Sequence, residues 1–398
     1  MLPHRSNRKV TVLMKQYPLP ASAEAYIQDH LDELKQLLKT LTLIPSPSNQ
    51  EFQRASFCKQ WLEENGCNGA YLDEANNMIY PYQCDGEKPL VAFLAHSDTV
   101  FPDQEITWTQ DGSIVHAMGV GDDTAGVAVL LMIARYLTQE KIETPYGLLL
   151  VANAGEEGLG DLKGSRQIIK DFGDRIRYFV GFDGGMTHLQ VNSVGSHRYE
   201  VTVRTEGGHS YGDFGNRNAI RYAASIIDTL YAMKAPTEAK TTYNVGMISG
   251  GISVNTIAGE CKFMYEYRSA AHVCLEKMEH MFYSVIQAYQ SMGIEVEVKL
   301  LASRPCRAGV DEAEQLALLD RCETIIRRYH PEGEIWKDVN STDANIPWAN
   351  GIPATTLGVI ACGAAHTREE WADLDSLDEG MHIAMNLILS FTDASRTN

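Results

Sequence analysis

Hydrophobic and polar positions in the first half of the chain follow two different spacings. Residues 22–39, SAEAYIQDHLDELKQLLK, carry apolar side chains three or four positions apart, the spacing of one helix face. Short continuous apolar runs follow, PLVAFLAH, YGLLLVANAG and YFVGFDGG, and the helical pattern TAGVAVLLMIARYLTQ lies between the first two. Continuous apolar strands indicate burial on both faces, so we predict an α/β fold with a mostly parallel sheet covered by helices.

The pattern changes near residue 196. HRYEVTVRTEGG alternates like a half-exposed strand, and the patterns that follow complete the order strand, helix, strand, strand, helix, strand. This order forms a self-contained α+β unit, βαββαβ. After it, IPATTLGVIACGAAH resembles the early buried strands. We therefore predict one α/β domain formed by residues 1–195 and 306–398, with a second domain inserted at residues 196–305.

Composition narrows the class of protein. The chain has 398 residues, 44% hydrophobic and 22% charged, as in globular proteins of two domains. A net charge of −18 disfavours nucleic acid, because phosphate contacts need clustered Lys and Arg. The sequence lacks the roughly 18 consecutive apolar residues of a membrane span, and MLPHRSNRKVTVLMKQYPLP lacks a signal-peptide core. With eight cysteines and no CxxC spacing, we expect reduced thiols and a cytoplasmic protein.

Residue types that bind metals stand where the apolar runs end. VAFLAH ends at His96, LLLVANAGEE at Glu156 and Glu157, YFVGFD at Asp183 and TTLGVIACGAAH at His366, while GVGDD places Asp122 and Asp123 before a helix. A single aspartate before a helix is often only an N-cap. The carboxyl ends of parallel strands, however, meet at one crevice, where all these residues can lie together. Histidines with carboxylates suit a divalent metal; we favour zinc, with manganese or cobalt as alternatives.

The number of candidate ligands favours two metal ions. One zinc needs three protein ligands and an open position, whereas the chain offers five: His96, Asp122, Glu157, Asp183 and His366. Two ions about 3.5 to 4 Å apart, bridged by one carboxylate, would use all five. Adjacent residues leaving a strand point in different directions, so Glu156 remains as a general base. Asp98 in HSD is expected to accept the other ring N–H of the first histidine.

The ordered motifs HSD, GDDTAG, AGEEGLGD, GFDGG, GGHS, STDANIP and GAAHTREEW resemble those of the M20 family of co-catalytic metallopeptidases. That family includes peptidase T, dipeptidases, glutamate carboxypeptidase and acetylornithine deacetylase. The resemblance covers nearly the whole chain and implies that residues 196–305 form a lid and dimerisation domain of a homodimer. It implies a cis peptide bond after the bridging aspartate, and two ligand sets that share this residue: His96, Asp122 and Asp183, and Asp122, Glu157 and His366.

The resemblance also assigns three residues of the predicted lid. His209 in GGHS matches a histidine that reaches the active site, often that of the partner subunit. Asn255 in GGISVNTIAG matches a lid asparagine, and Arg268 in MYEYRS matches an arginine that grips a substrate carboxylate. Two positions depart from the family pattern, since Thr124 stands where lysine is common and Ala258 where proline is common.

The activity implied by the resemblance is hydrolysis of an amide bond. Aspartate at position 183 is similar to the peptide-cleaving branches of the family, so we expect an aminopeptidase or tripeptidase acting on short peptides. Deacylation of N-acyl amino acids is the alternative. Two further hypotheses are a non-catalytic binding protein on the same fold and a cysteine hydrolase that uses Cys362 and His366.

Overall fold

The structure, a computed structural model, describes residues 17–392; residues 1–16 of the N-terminal segment considered above lie outside this range. The helices are α1 (Ala21–Thr42), α2 (Phe52–Glu64), α3 (Ala125–Glu140), α4 (Lys163–Phe172), α5 (Ala219–Ala232), α6 (His272–Ser291), α7 (Glu312–Tyr329), α8 (Asn345–Ala349) and α9 (Leu377–Leu389). Between residues 17 and 392, none of the helices has the length and apolar character needed to cross a membrane.

Within residues 17–392 the strands form one sheet of eight strands, two sheets of four and one of two. They are β1 (Tyr71–Leu72), β2 (Met78–Tyr82), β3 (Leu90–His96), β4 (Thr109–Asp111), β5 (Ile114–His116), β6 (Gly147–Asn153), β7 (Ile176–Met186), β8 (His188–Ser193), β9 (Gly195–Arg204), β10 (Gly208–His209), β11 (Thr241–Gly250), β12 (Thr256–Ile257), β13 (Glu260–Ser269), β14 (Glu295–Arg304), β15 (Trp336–Asn340), β16 (Ala354–Gly358), β17 (Ala361–Gly363) and β18 (Trp371–Asp373).

The largest sheet has eight strands in the order β1-β2-β6-β3-β7-β16-β8-β15. Its central strands β6, β3, β7 and β16 pair in parallel. Every residue of β3 is buried, and its side chains alternate between two cores. Val91 and Phe93 pack in the core that contains α1, α3 and α9, whereas Leu90 and Leu94 pack in the core that contains α4 and α8. The predicted mostly parallel sheet covered by helices is confirmed.

The lid sheet consists of β9, β11, β13 and β14 in the order β11-β13-β9-β14, with every neighbouring pair antiparallel. Helices α5 and α6 cover one face, where Tyr199, Val201 and Val203 alternate into the core. The other face, here called the open face, carries the polar residues between them. This βαββαβ arrangement confirms the predicted α+β insertion, while the domain boundaries at residues 195/196 and 305/306 stay a prediction.

The last buried run divides into two strands. The run IPATTLGVIACGAAH forms two strands, of which β16 joins the large sheet and β17 joins a second sheet in the order β17-β18-β5-β4. The chain changes sheets at Val359 and Ile360, and both side chains stay buried there. An apolar run reports burial and not pairing, which is why the pattern continued across the break.

Candidate metal centre

The five predicted ligands meet beyond the carboxyl ends of the parallel strands. Nε2 of His96, the last residue of β3, lies 2.9 Å from Oδ1 of Asp122. Nε2 of His366 lies 3.1 Å from Oδ2 of the same aspartate and 2.8 Å from Oε1 of Glu157. The two oxygens of Asp122 therefore face two different histidines, which is the placement expected of a bridging carboxylate.

The ligand atoms form two groups that share Asp122. In each group the atoms lie within 4.8 Å of one another, and the groups are His96, Asp122 and Asp183, and Asp122, Glu157 and His366. The Asp183 carboxylate has no hydrogen-bond partner within residues 17–392, and burial, with the nearby Asp122, raises its pKa to about 7. A carboxylate left in this state, beside His96, fits a cation. The donor set of nitrogen and oxygen atoms suits two divalent metal ions.

The acidic surroundings raise the pKa of both histidines. Hydrogen bonds to Asp122 and Glu157 raise the pKa of His366 to about 10. Burial lowers the pKa of His96, but Asp122 raises it further, so that it stands well above its usual value. Both shifts have one cause, the concentration of carboxylates, and both show that the cluster attracts positive charge.

The peptide bond between Asp122 and Asp123 is cis, as the resemblance implied. The two carboxylates point to different partners. Asp122 reaches both histidines, whereas Oδ2 of Asp123 accepts a hydrogen bond from the backbone N–H of His96 at 3.0 Å. Of the two aspartates, Asp122 is therefore the one that occupies the position of a ligand.

Asp98 holds the turn that carries Glu156 and Glu157. Its carboxylate accepts hydrogen bonds from both of their backbone N–H groups at 3.0 Å, and from the Ser48 hydroxyl at 2.7 Å. The predicted bond between this carboxylate and the ring of His96 is wrong: Nδ1 contacts the backbone oxygen of Asp98 at 3.0 Å, while Oδ1 lies 3.7 Å away. The Asp98 carboxylate instead accepts hydrogen bonds from the three donors named above, the two backbone N–H groups and the Ser48 hydroxyl.

Glu156 is buried at the cavity wall, 6% exposed, and meets a cation that the sequence analysis did not identify. Nη1 of Arg304, the last residue of β14, lies 3.3 Å from Oε1 of Glu156, and Nη2 donates to its backbone oxygen. Burial raises the pKa of Glu156 and Arg304 lowers it, with a net value well above the usual range. In the sequence, Arg304 could have been identified by its position at the end of a strand, at the predicted border of the lid.

Glu370 is a second residue that the sequence analysis missed. Its buried carboxylate accepts hydrogen bonds from the backbone N–H groups of Gly119 at 2.8 Å, Gly121 at 3.0 Å and Asp122 at 3.1 Å. Glu370 thereby fixes the turn that presents Asp122. Its signal was a second acidic residue in the motif GAAHTREEW, four positions after His366.

A cavity of about 1070 Å³ lies between the metal ligands and the open face of the lid sheet. Arg268 lines it, together with Arg198 and Lys240, from the lid side. Burial, with the positive charges of Arg304 and Arg268, lowers the pKa of Arg198. The predicted carboxylate-binding arginine thus faces the cavity, in the company of other cations.

His209 and Asn255 are absent from the described residues that line this cavity. Both are exposed in the loops around β10 and β12, where His209 pairs with Thr256. Nδ1 of His209 accepts hydrogen bonds from the backbone N–H groups of Tyr211 and Gly212, two and three positions further along the loop. The structure brings these two lid residues near each other, and not to the metal ligands of their own chain.

Comparisons with known proteins agree with this fold. Residues 92–390 match the family model described as peptidase family M20/M25/M40. An acetylornithine deacetylase of Myxococcus xanthus is 29% identical over 268 residues, 60% of this chain and 68% of the relative. The fold is similar to that of a Staphylococcus aureus tripeptidase, with TM-score 0.70, 21% identity, and 90% and 97% of the two chains covered. It is also similar to a dinuclear metal-binding M20 peptidase of Bacillus subtilis, with TM-score 0.60, 16% identity, and 92% and 100% covered.

Three quarters of the chain lie within the family match, which includes all five candidate ligands and both glutamates of the AGEEGLGD motif. The chain therefore belongs to peptidase family M20/M25/M40 and is a metal-dependent hydrolase.

Proposed function

We propose that the protein is a two-metal amide hydrolase that cleaves short peptides, as an aminopeptidase or tripeptidase. The observation that carries this proposal is the position of Asp122, whose two carboxylate oxygens face His96 and His366 separately. The aspartate at position 183 and the fold shared with a tripeptidase support peptides as substrates. The cavity is bounded by the lid sheet, which favours small substrates over folded proteins.

In the proposed reaction, the two groups of ligands each bind one metal ion. His96, Asp122 and Asp183 would hold one ion and Asp122, Glu157 and His366 the other, with zinc favoured and manganese or cobalt as alternatives. Bound there, the ions would polarise the scissile carbonyl and activate a water molecule.

Glu156 lies among the ligand atoms of His96 and Glu157 and serves as the general base. It accepts the proton of the attacking water and returns it to the leaving amine, a role typically worth about 10² to 10⁴ in rate. Arg268 binds a substrate carboxylate from the lid side of the cavity, where a planar guanidinium can make two parallel hydrogen bonds.

A homodimer through the lid completes the proposal. His209 and Asn255 lie outside the cavity of their own chain, so their family roles require a second subunit. The loops that carry them also bear almost fully exposed apolar side chains, here called the lid-loop patch: Tyr211, Phe214, Ile252 and Val254. Large exposed apolar side chains on neighbouring loops are typical of protein interfaces. The cytoplasmic location also stays a prediction, supported by eight cysteines that are all free thiols.

The alternative hypotheses are not equally well supported. The deacylase alternative keeps the same centre and is supported by the similarity to an acetylornithine deacetylase. A cysteine hydrolase is disfavoured, because burial, with Asp122 and Glu370 close by, raises the pKa of Cys362 to about 12 and opposes thiolate formation.

The proposal is tested by measuring the metal content of the purified protein and the range of substrates that it hydrolyses. Protein purified without chelator should hold about two divalent ions per chain and release amino acids from di- and tripeptides. Glu156→Ala should retain the metal and lose turnover, and Glu63→Ala, an exposed helix glutamate, is the matched control. Turnover confined to N-acyl amino acids would select the deacylase. Absence of both bound metal and activity after zinc, manganese or cobalt is supplied would refute the proposal.

A further inference from the structure

The lid side of the cavity carries a cationic wall, defined as Arg198, Lys240 and Arg268. Arg268 in β13 pairs directly with Ser196 in β9 and with Thr242 in β11. Arg198 and Lys240 lie two residues from those partners, so they are the diagonal neighbours of Arg268 on the open face. Diagonal neighbours in a sheet are within reach of long side chains. The three cations therefore form one diagonal row, with Arg198 in β9, Arg268 in β13 and Lys240 in the residue that precedes β11.

These cations are short of counter-charge. Glu266 is their shared acidic partner, with Oε2 3.3 Å from Nε of Arg198 and Oε1 3.2 Å from Nε of Arg268. The Lys240 ammonium has no hydrogen-bond or ion-pair partner in the part of the chain that the structure describes. One carboxylate among three cations leaves two positive charges facing the cavity.

The other charged groups that line the cavity are already paired. Asp338 contacts Nδ1 of His188 at 2.6 Å, and Arg304 is engaged with Glu156. The remaining acids are the metal ligands, whose negative charge the metal ions would offset. The positive excess of the cationic wall is thus local to the cavity, in a chain whose net charge is −18.

The wall also adjoins the reacting centre. Nη1 of Arg198 donates to the backbone oxygen of Gly158 at 3.0 Å, the residue that follows the ligand Glu157. A peptide whose scissile bond lies at the metal ligands can therefore place its carboxyl-terminal residue at the wall. The terminal carboxylate neutralises one of the two free charges, and one remains for a second anion.

We propose that Arg198, Lys240 and Arg268 form a subsite for two carboxylates, and that the enzyme prefers short peptides or N-acyl amino acids ending in aspartate or glutamate. This inference rests on the proposed amide hydrolysis at the neighbouring centre. Arg268 binds the terminal carboxylate, and Lys240, with Arg198, binds the carboxylate of the last side chain. The specificity comes from the positive charge that Glu266 leaves uncompensated at the wall, because a side-chain carboxylate forms a charge-assisted hydrogen bond there and a neutral isostere does not.

The experiment compares substrates that differ only in that charge. For the metal-loaded enzyme, kcat/KM is measured on Ala-Ala-Glu against Ala-Ala-Gln, and on N-acetyl-Glu against N-acetyl-Gln. We expect the glutamate member to be preferred by about 10- to 100-fold. Lys240→Gln should reduce this ratio by about fivefold or more, and Lys240→Glu should bring it to about one or below. The ratio is internal to each preparation, so partial loss of folded protein leaves it unchanged.

Lys262→Gln is the matched control, because Lys262 lies on the same face, pairs with Glu200 and does not line the cavity. A change in ratio equal to that of Lys240→Gln would reduce the effect to general charge attraction and overturn the proposal. So would equal kcat/KM for both members of each substrate pair in the wild type.

A binding measurement separates this inference from the proposed function. Calorimetric titration of metal-loaded Glu156→Ala with Ala-Ala-Glu and Ala-Ala-Gln reports the subsite without turnover. Tighter binding of the acidic peptide, lost in Lys240→Gln, supports the subsite even if the wild type hydrolyses neither. Turnover without any preference in rate or in binding overturns the subsite and leaves the hydrolase intact.

Discussion

Nη1 of Arg304 lies 3.3 Å from Oε1 of Glu156, and both side chains are buried. Arg304 is the last residue of β14, so the final strand of the lid sheet ends at the proposed general base. The same guanidinium reaches the Ser341 hydroxyl at 3.2 Å. The position of the base thus depends on the junction between the two sheets as well as on the strand that carries it.

Arg304→Gln should lower kcat with little change in KM. Removing the cation frees a buried carboxylate to turn away from the water it must deprotonate, and misplacement by about 1 Å costs up to about 10²-fold. Arg304→Lys keeps the charge and loses the second arm of the guanidinium, so its kcat should lie between those of the wild type and Arg304→Gln. Steady-state kinetics on a tripeptide provide the measurement.

Arg204→Gln serves as the control for this pair of variants, because Arg204 lies in the lid sheet and pairs with the exposed Glu260 and Glu297. Thermal unfolding of each variant shows that the comparison is made on folded protein. An unchanged kcat in Arg304→Gln, or an equal loss in Arg204→Gln, would contradict a positioning role.

Glu370→Gln should weaken metal binding by about 10- to 100-fold, the usual effect of removing a group that holds a ligand in place. Glutamine presents one acceptor oxygen and an amide donor to three backbone N–H groups, including that of Asp122. Titration of metal into the chelator-treated protein gives the dissociation constants. Glu369→Gln changes an exposed neighbour and should leave them as in the wild type; equal constants in all three proteins would show that the turn needs no support.

The bridging position of Asp122 predicts a particular stoichiometry. Asp183→Ala removes a ligand from one group and should leave about one ion per chain, whereas Asp122→Ala removes a ligand from both and should leave fewer. Metal analysis by mass spectrometry after gel filtration distinguishes the two. In the wild type, chelator should also lower the melting temperature, since metal at 1,000 times its Kd stabilises by about 4 kcal/mol. Equal metal content in the two variants would contradict the shared ligand.

The metal ligands were accessible to sequence analysis because each stands next to a strong pattern. His96 ends an unbroken apolar strand, and Glu157 follows another, so the rule that parallel strands converge brings them together. Arg304 and Glu370 act on the backbone or side chain of residues 148 and 248 positions away. No local pattern encodes such a contact, because it depends on how the two sheets are placed relative to each other.

The acceptor for His96 was predicted incorrectly for a related reason. The motif HSD places a carboxylate two positions after the histidine, and a ring N–H beside a carboxylate is a common pairing. In the structure, the amides of Glu156 and Glu157 occupy that carboxylate, and the nearer backbone oxygen of Asp98 contacts the ring instead. Proximity in sequence identified the right residue and the wrong atom.

Mixed dimers test whether His209 acts in the partner subunit. Co-expressed His209→Ala and Glu156→Ala chains, each inactive alone, should recover about a quarter of wild-type activity, because half of the dimers are mixed and each has one complete site. If His209 served its own chain, no mixed dimer would contain a complete site. Ile252→Asp with Val254→Asp, both in the lid-loop patch, should yield monomers and abolish the recovery. Light scattering shows whether each preparation is dimeric, and activity is measured on mixed dimers purified through a different tag on each chain. Recovery of activity by monomers would overturn the proposal that His209 acts in the partner subunit.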